Sequence, residues 1–234
     1  MKPERESAAA LVEPVLARGP VDTTMMSVGA LRIVLAQLAA ILDEGVEGDI
    51  VEMGCWQGST SLLLRALLDA AGSDRVLHVY DSFAGLPPRC PEDQGVGELN
   101  SAVFRTSVDA LVERFRAVGR RVPVIHVGWF AQIPQSELPG RVAFAFLDGD
   151  LFESIRDSLD RVLPILAPKG RIVVDDCGWI VTPGVERACR AALARASQFR
   201  MSMLDGYKAD VVPAHDCDNA EGKHSTGALI VAPG

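Results

Sequence analysis

The sequence predicts an α/β fold of the Rossmann-like sandwich type, with a mostly parallel seven-stranded sheet and helices on both faces. Short β-branched segments alternate with amphipathic helical segments from about residue 27 to residue 176. That alternation is typical of parallel strands joined by right-handed helical crossovers. The first strand also runs through a glycine-containing turn directly into a helix, and 234 residues give room for one such domain.

The predicted elements follow one another in a regular order. Residues 1–26 mix proline, glycine and charge around one short helical pattern, so we expect an N-terminal arm or lid there and a single domain over 27–234. The first helix of the domain begins after Ser27, where leucines are spaced three and four apart. The predicted strands are 49–54, 75–81, 122–128, 142–148 and 171–176, with helices at 57–72, 108–119 and 154–166 and two final strands within 199–204 and 227–232.

Charge and hydropathy disfavour two classes of partner. The chain has 23 Lys and Arg against 31 Asp and Glu, a formal net charge of −8, and no basic run. Nucleic acid binding needs a clustered cationic surface, so we expect none. No stretch approaches the roughly 20 apolar residues of a membrane helix, so we expect a cytoplasmic protein. The five cysteines form no C-x-x-C pair, which indicates free thiols.

The turn after the first strand indicates a cofactor site. Glu52, Gly54 and Gly58 form the pattern E-x-G-x-x-x-G, and Trp56 stands where a dinucleotide fingerprint has its second glycine. A carboxylate at this strand end repels phosphate and suits a cofactor that carries an ammonium or sulfonium group. Asp81 ends the second strand, where an acidic side chain accepts hydrogen bonds from ribose hydroxyls. The pattern favours a positively charged adenosyl cofactor, although a purely structural tight turn also explains it.

Several other side chains near the strands have either a structural or a functional interpretation. Gly128, Trp129 and Phe130 follow the third strand, where an aromatic ring either flanks an adenine or packs in the core. His78 and His126 lie within predicted strands, so we expect hydrogen-bonded interior or edge histidines rather than catalytic bases. Neither observation alone defines a site.

An aspartate cluster is predicted at the ends of the fourth and fifth strands. Asp148 and Asp150 follow one strand, and Asp175 and Asp176 end the next. The carboxyl ends of neighbouring parallel strands meet at one rim, so these carboxylates should lie together. Hard oxygen ligands suit Mg²⁺ or Ca²⁺. The alternative is that each aspartate caps the helix that follows it.

The segments VEMGCWQGST, YDSFAGLP, GWF, LDGDLFES and VVDDCG together resemble the macrocin O-methyltransferase family, from about Thr23 to Ser197. The resemblance implies a class I methyltransferase that uses S-adenosylmethionine and Mg²⁺ to methylate sugar hydroxyls in natural-product biosynthesis. It implies Asp148, Asp175 and Asp176 as metal ligands, Asp148 as general base, and Thr24 and Met25 as the start of a segment folded over the cofactor. Cofactor-binding residues are then expected at Glu52, Gly54, Gly58, Ser59, Asp81, Ser82 and Trp129.

The expected partner is a small hydroxylated acceptor, with a homodimer as a possible assembly. A sugar with two adjacent hydroxyls and a catechol-type aromatic ring both offer two oxygens to Mg²⁺, so both acceptors stay open. A non-catalytic adenosyl-binding protein is a further alternative. Aminopropyl transfer has no use for the aspartates, and Trp56 disfavours NAD-linked oxidoreduction. The polar segment at 215–226 departs from the family pattern, so the part of the acceptor site that this segment builds is expected to differ from that of the family.

Overall fold

The architecture is a seven-stranded sheet between two helical layers, which confirms the predicted fold class. This computed structural model describes residues 7–19, 26–94, 101–204 and 227–234. The strand order is β3-β2-β1-β4-β5-β7-β6. Strands β1 to β5 run parallel, and β7 pairs antiparallel with both β5 and β6. The strands are β1 Asp49–Met53, β2 Leu77–Asp81, β3 Val124–Val127, β4 Val142–Leu147, β5 Leu166–Asp175, β6 Arg200–Met203 and β7 Gly227–Val231.

The helices divide into two layers. They are α1 Val12–Arg18, α2 Val28–Asp43, α3 Ser59–Ala70, α4 Val108–Ala117, α5 Phe152–Val162 and α6 Pro183–Arg195. Buried residues of α1 to α4 belong to one hydrophobic cluster, and those of α5 and α6 belong to another. The sheet therefore carries a separate apolar core on each face.

The central strands explain why the sheet is stable between these layers. All six residues of β4 are buried. Phe144 and Phe146 pack into the α1 to α4 cluster, while Ala145 and Leu147 pack into the α5 and α6 cluster. A strand buried on both faces reads as a continuous apolar run, and this makes β4 recognisable in the sequence.

Helix α6 is the element that the sequence analysis did not predict. It begins at Pro183, which is favourable in the first helical turn because proline lacks the N–H that would have no partner there. Its buried residues are mostly small and include Gly184, Ala188 and Ala192. Strand β5 also begins at Leu166 rather than at residue 171.

The described part of the N-terminal arm packs into the core. A 3-10 turn, Ala8–Leu11, leads into α1, and Val12, Val15 and Leu16 are buried against the first cluster. Thr24 and Met25, assigned to the lid, and the polar segment 215–226 lie outside the described residues. None of the helices described in these ranges is long and apolar enough to span a membrane.

We expect Ser27→Ala to destabilise the domain through α2. The Ser27 hydroxyl is buried and accepts a hydrogen bond from Ala30 N at 3.0 Å. Losing an N-cap costs about 1 kcal/mol, which lowers Tm by roughly 2–4 °C in a domain of this size. Thermal unfolding followed by circular dichroism measures the change. Ser136→Ala, at an exposed position, is the control, and equal Tm values for the two variants would contradict the capping role.

Candidate cofactor and active site

Acidic side chains line one rim of the sheet. Strands β2, β1, β4 and β5 are consecutive neighbours. Glu52 lies near the end of β1, Asp81 and Asp175 are the last residues of β2 and β5, and Asp148 follows β4. In open α/β sheets, ligands bind beyond the carboxyl ends of the strands. The structure therefore brings the predicted cofactor and aspartate residues to one rim.

Asp81 fastens the glycine turn to the second strand. Its Oδ2 accepts hydrogen bonds from the backbone N–H groups of Cys55 and Trp56, both at 2.9 Å. Its Oδ1 accepts from Phe83 N at 2.7 Å. The sequence analysis assigned this carboxylate to ribose binding and did not predict that it accepts hydrogen bonds from the backbone of two turns. The bond to Phe83, two residues on, is typical of an Asx turn, which was the available local signal.

The two glycines of the turn allow other parts of the chain to approach its backbone closely. Gly54 has φ +91°, and a Cβ there would lie 1.8 Å from the carbonyl oxygen of Asp148. Gly58 has φ +79°, and a Cβ there would lie 2.1 Å from Leu111 Cδ1. Glycine is the residue that combines these backbone angles with such close approach. The turn is thus held tightly against β4 and α4.

Trp56 occupies an unusual backbone position in the same turn. Its φ is +43°, a region that bulky residues rarely adopt. The ring packs edge-on against Phe104, with centroids 6.1 Å apart. Its buried Nε1 has no hydrogen-bond partner within the described residues. Strained residues of this kind concentrate at ligand sites.

The hydroxyls predicted to contact the cofactor already have protein partners. Arg114 of α4 donates to Ser59 Oγ at 3.3 Å and to Gln57 Oε1 at 3.1 Å. Ser82 Oγ donates to the carbonyl of Gly85 at 3.0 Å and accepts from Ala84 N at 3.1 Å. Sequence reasoning missed Arg114, because its partners lie 55 and 57 residues away. The guanidinium places a positive charge at the start of α3.

Glu52 is a fully buried acid beside the turn. Its side chain is 0% exposed, and Ser61 of α3 donates a hydrogen bond to Oε2. The other oxygen, Oε1, is buried without a hydrogen-bond partner among the residues described. Burial raises the pKa of Glu52 to about 8, the Ser61 hydrogen bond opposes this rise, and the charge of Asp81 adds to it. The group is largely protonated at neutral pH.

The aspartates do not cap the helices that follow them. The N-cap residue of α5 is Leu151 and that of α6 is Thr182. Asp175 and Asp176 are 3% and 4% exposed, and Asp176 has φ +57°. Across the described ranges, no group of three or more His, Cys, Asp or Glu side chains is arranged to hold a metal ion. The capping explanation is therefore wrong, and the carboxylates reach one rim without forming a metal site as they stand.

The remaining candidates lie toward the β3 edge. Trp129 is half-buried and is the N-cap residue of a 3-10 turn, Phe130–Gln132. His78 Nδ1 and His126 Nε2 are 3.2 Å apart, and His126 Nδ1 is 3.1 Å from a Glu137 oxygen. These histidines are hydrogen-bonded and partly buried, as the sequence analysis predicted.

A comparison with known families identifies the chain. Residues 10–203 match the family described as Macrocin-O-methyltransferase (TylF). The chain belongs to this family. Among curated relatives, it is 37% identical over 145 residues to the 8-demethyl-8-(2,3-dimethoxy-alpha-L-rhamnosyl)-tetracenomycin-C 4'-O-methyltransferase of Streptomyces olivaceus, covering 58% of this chain and 55% of that protein. It is 30% identical over 163 residues to the mycinamicin III 3''-O-methyltransferase of Micromonospora griseorubida, covering 65% of this chain and 64% of that protein.

Solved structures share the fold at low sequence identity. The O-methyltransferase NovP superposes with a TM-score of 0.72 at 19% identity, over 97% of this chain and 100% of that chain. A calicheamicin methyltransferase gives a TM-score of 0.63 at 18% identity, over 99% of this chain and 93% of that chain. These likenesses support the class I methyltransferase fold. The matched part of the chain spans 55% to 64% of the length of its curated relatives.

We expect Gly54→Ala to be strongly destabilising, because the added methyl group meets the backbone of Asp148 at an unfavourable φ. Strain of this kind costs about 2–4 kcal/mol. Gly140→Ala is a matched control, since nothing lies within 4 Å of a Cβ at that position. Urea unfolding measures both free energies of unfolding. Equal values for the two variants would mean that the turn is not held against β4.

We expect the buried acid to make stability depend on pH. The pKa of Glu52 is raised from 4.5 to about 8 by burial. Between these values the folded protein retains a proton that the unfolded chain has lost, so the free energy of unfolding falls as pH rises. Glu52→Gln should flatten this part of the profile, whereas Glu47→Gln, at an exposed position, should leave it unchanged. Urea unfolding at a series of pH values gives both slopes, and identical slopes for Glu52→Gln and the parent protein would contradict the shift.

Proposed function

We propose that the protein is an S-adenosylmethionine-dependent O-methyltransferase that acts on a hydroxyl of a small molecule. The observation that carries the proposal is Glu52, a buried acid with an unpartnered oxygen beside a glycine turn fixed by Asp81. Membership of the macrocin O-methyltransferase family supports it. A nucleotide cofactor with two phosphates is disfavoured at this turn, because Trp56 stands where a dinucleotide-binding turn has the glycine that lets a pyrophosphate approach the backbone.

The surroundings of Glu52 suit a positively charged adenosyl compound. Oε1 of Glu52 has no hydrogen-bond partner among the described residues, so an ammonium group of the cofactor would donate to it, and a nearby sulfonium would be favoured by its charge. Such a cation favours the ionised carboxylate and returns the pKa of Glu52 toward its ordinary range. Two related folds in solved structures were obtained with S-adenosylhomocysteine bound, at 15% and 14% identity. Their likeness to this chain concerns the fold.

Asp148 is the proposed proton acceptor. Its carbonyl oxygen lies against Gly54, and its N–H donates to Met53 O at 2.8 Å, so its backbone is fixed beside the cofactor turn. When bound, S-adenosylmethionine supplies a methyl group on a positively charged sulfur. The acceptor hydroxyl gives its proton to a carboxylate oxygen of Asp148 as the new C–O bond forms and the C–S bond breaks. Because no covalent enzyme intermediate is needed, alignment of the two substrates supplies most of the rate.

A sugar hydroxyl is the proposed acceptor group, one of an adjacent pair on a bacterial secondary metabolite. The relatives named above methylate the 4' position of a rhamnosyl-tetracenomycin and the 3'' position of mycinamicin III. A third relative, from Streptomyces niveus, is a demethyldecarbamoylnovobiocin O-methyltransferase. These names support a glycosylated natural product over a free catechol.

Dependence on Mg²⁺ is a separate part of the proposal. Asp148, Asp175 and Asp176 supply the carboxylate oxygens that Mg²⁺ prefers, at the ends of adjacent strands. As arranged in the described chain, they do not form a metal site. Removal of divalent ions by chelation therefore tests whether these three carboxylates bind Mg²⁺.

The decisive experiment is a transfer assay with purified protein. S-adenosylmethionine is incubated with glycosylated polyketides that carry unmethylated deoxysugars, and with simple catechols as the alternative acceptor. Mass spectrometry should show the gain of one methylene unit on the sugar. Methylation of catechols alone would replace the sugar proposal. Binding of S-adenosylhomocysteine without transfer to any acceptor would favour a non-catalytic adenosyl-binding protein.

We expect cofactor binding to release protons through Glu52. The free protein holds a proton there, since burial raises the pKa to about 8, and a bound cation favours its loss. Calorimetric titration with S-adenosylhomocysteine in buffers of different ionisation enthalpy should show release near pH 7, with tighter binding as pH rises toward 8. Glu52→Gln should abolish the release. Proton release of equal size in both proteins would assign it to another group.

We expect turnover to require the rim carboxylates while cofactor affinity does not. Asp148→Asn removes the proposed base and should lower kcat about 100-fold or more, and Asp175→Asn should lower it at least about 10-fold. EDTA should abolish turnover, and added Mg²⁺ should restore it. Asp160→Asn, which removes an exposed carboxylate paired with Arg195, is the control. Full activity in EDTA would remove Mg²⁺ from the proposal, and full activity of Asp148→Asn would remove the base.

A further inference from the structure

Asp93 is a buried carboxylate that neither the sequence pattern nor the proposed mechanism uses. It is 2% exposed and ends the 3-10 turn Pro91–Asp93 in the long connection between β2 and α4. Its Oδ2 accepts hydrogen bonds from Cys90 N at 3.0 Å and from the Cys90 thiol at 3.1 Å. Asp93 therefore stabilises its own 3-10 turn through hydrogen bonds to the residue before that turn, Cys90.

The second oxygen of Asp93 is bound to the start of α5. Oδ1 accepts a hydrogen bond from Phe152 N at 2.6 Å. Leu151, the N-cap residue of α5, provides no side-chain cap, so Asp93 satisfies an N–H that the helix leaves unpaired. A negative charge at this helix end is also favoured by the helix dipole. Phe152 comes four residues after Asp148.

The same oxygen is packed against the start of α6. A Cβ at Gly184 would lie 2.0 Å from Asp93 Oδ1 and 2.9 Å from Phe152 N. Arg187 of α6 donates to the carbonyl of Glu92. The 3-10 turn therefore packs between the first turns of α5 and α6. Each of these helices follows a loop that contains predicted rim aspartates, 148–151 before α5 and 176–182 before α6; these are called the aspartate loops.

Close contacts within the segments 148–154 and 176–184 connect each helix start to its aspartates. In the first, Leu151 N donates to Gly149 O at 2.6 Å, and a Cβ at Gly149 would lie 2.8 Å from Ser154 Cβ. In the second, the buried Thr182 hydroxyl donates to Asp176 O at 3.2 Å, two residues before Gly184. A chain of contacts thus connects Asp93 to both ends of the aspartate cluster.

We propose that Asp93 is a positioning residue that sets Asp148 relative to Asp175 and Asp176. The inference rests on the proposed function for its catalytic consequence. The carboxylate touches neither the cofactor turn nor the acceptor in this assignment; it fixes the two helix starts on which the loops depend. A misplacement of about 1 Å at a reacting group costs on the order of 100-fold in rate.

The kinetic test uses two variants of the contact between Asp93 and Gly184, one that removes the carboxylate charge and one that adds a methyl group. Asp93→Asn leaves a single side-chain oxygen, which cannot accept hydrogen bonds from both Cys90 and Phe152. In the otherwise unchanged protein, Gly184→Ala places a methyl group against Oδ1 of Asp93 and displaces it. Each should lower kcat about 10- to 100-fold, while KM for S-adenosylmethionine and affinity for S-adenosylhomocysteine stay within about twofold. The double variant should be little worse than either single one, because both act on one contact. Glu92→Gln, one residue away and exposed, and Gly140→Ala are the controls and should retain parental kcat.

Hydrogen exchange tests the placement without activity. In Asp93→Asn, amides of 148–155 and of 176–185 should exchange faster, while those of 52–61 should be unchanged. Arg187→Ala, which removes an exposed contact outside the core, should give the same pattern more weakly if the first variant folds poorly. Unchanged exchange in either loop, or a lower Tm with parental kcat, would overturn the positioning role. Absence of transfer by the parent protein would instead overturn the proposed function, and the exchange pattern would then decide whether Asp93 holds the two loops.

Discussion

The hydrogen bonds of Asp81 are the constraint on which the site depends. One carboxylate oxygen holds two successive backbone N–H groups of the turn after β1, and the other holds the backbone after β2. Hydrogen bonds to an ionised acceptor are stronger than neutral ones. This arrangement ties together the turns that follow two neighbouring strands, so one side chain holds the backbone of Cys55 and Trp56 beside Glu52.

The rest of the rim is built by similar contacts between distant segments. The Asp148 backbone fills the space that Gly54 leaves open, and Arg114 reaches the start of α3 from α4. The buried acid Glu52 is held through one oxygen by Ser61, and its other oxygen has no hydrogen-bond partner among the described residues. The chemistry proposed for the protein uses residues whose positions were fixed by packing before any ligand arrived.

Sequence patterns predicted β4 because it is buried on both faces and reads as an apolar run, and they predicted β1 because it is a short β-branched segment bounded by glycines. Helix α6 was missed because Pro183 and Gly184 resemble a chain break and its inward residues are small. The rim position of the aspartates followed from topology, whereas the contact of Asp93 with α5 had no local signal, since Phe152 is 59 residues away. Contacts of that separation depend on tertiary structure, which spacing along the chain does not record.

The direction of β7 determines where the described chain ends relative to the site. Because β7 is antiparallel to β5, Val231 pairs with Arg171 at the amino end of the parallel strands. The residues that follow stay there, with Lys169 N bonded to Pro233 O at 3.1 Å. A probe attached to the described residues after β7 would thus lie at the end of the sheet opposite the acidic rim. A protein immobilised through these residues would present its acidic rim to the solution.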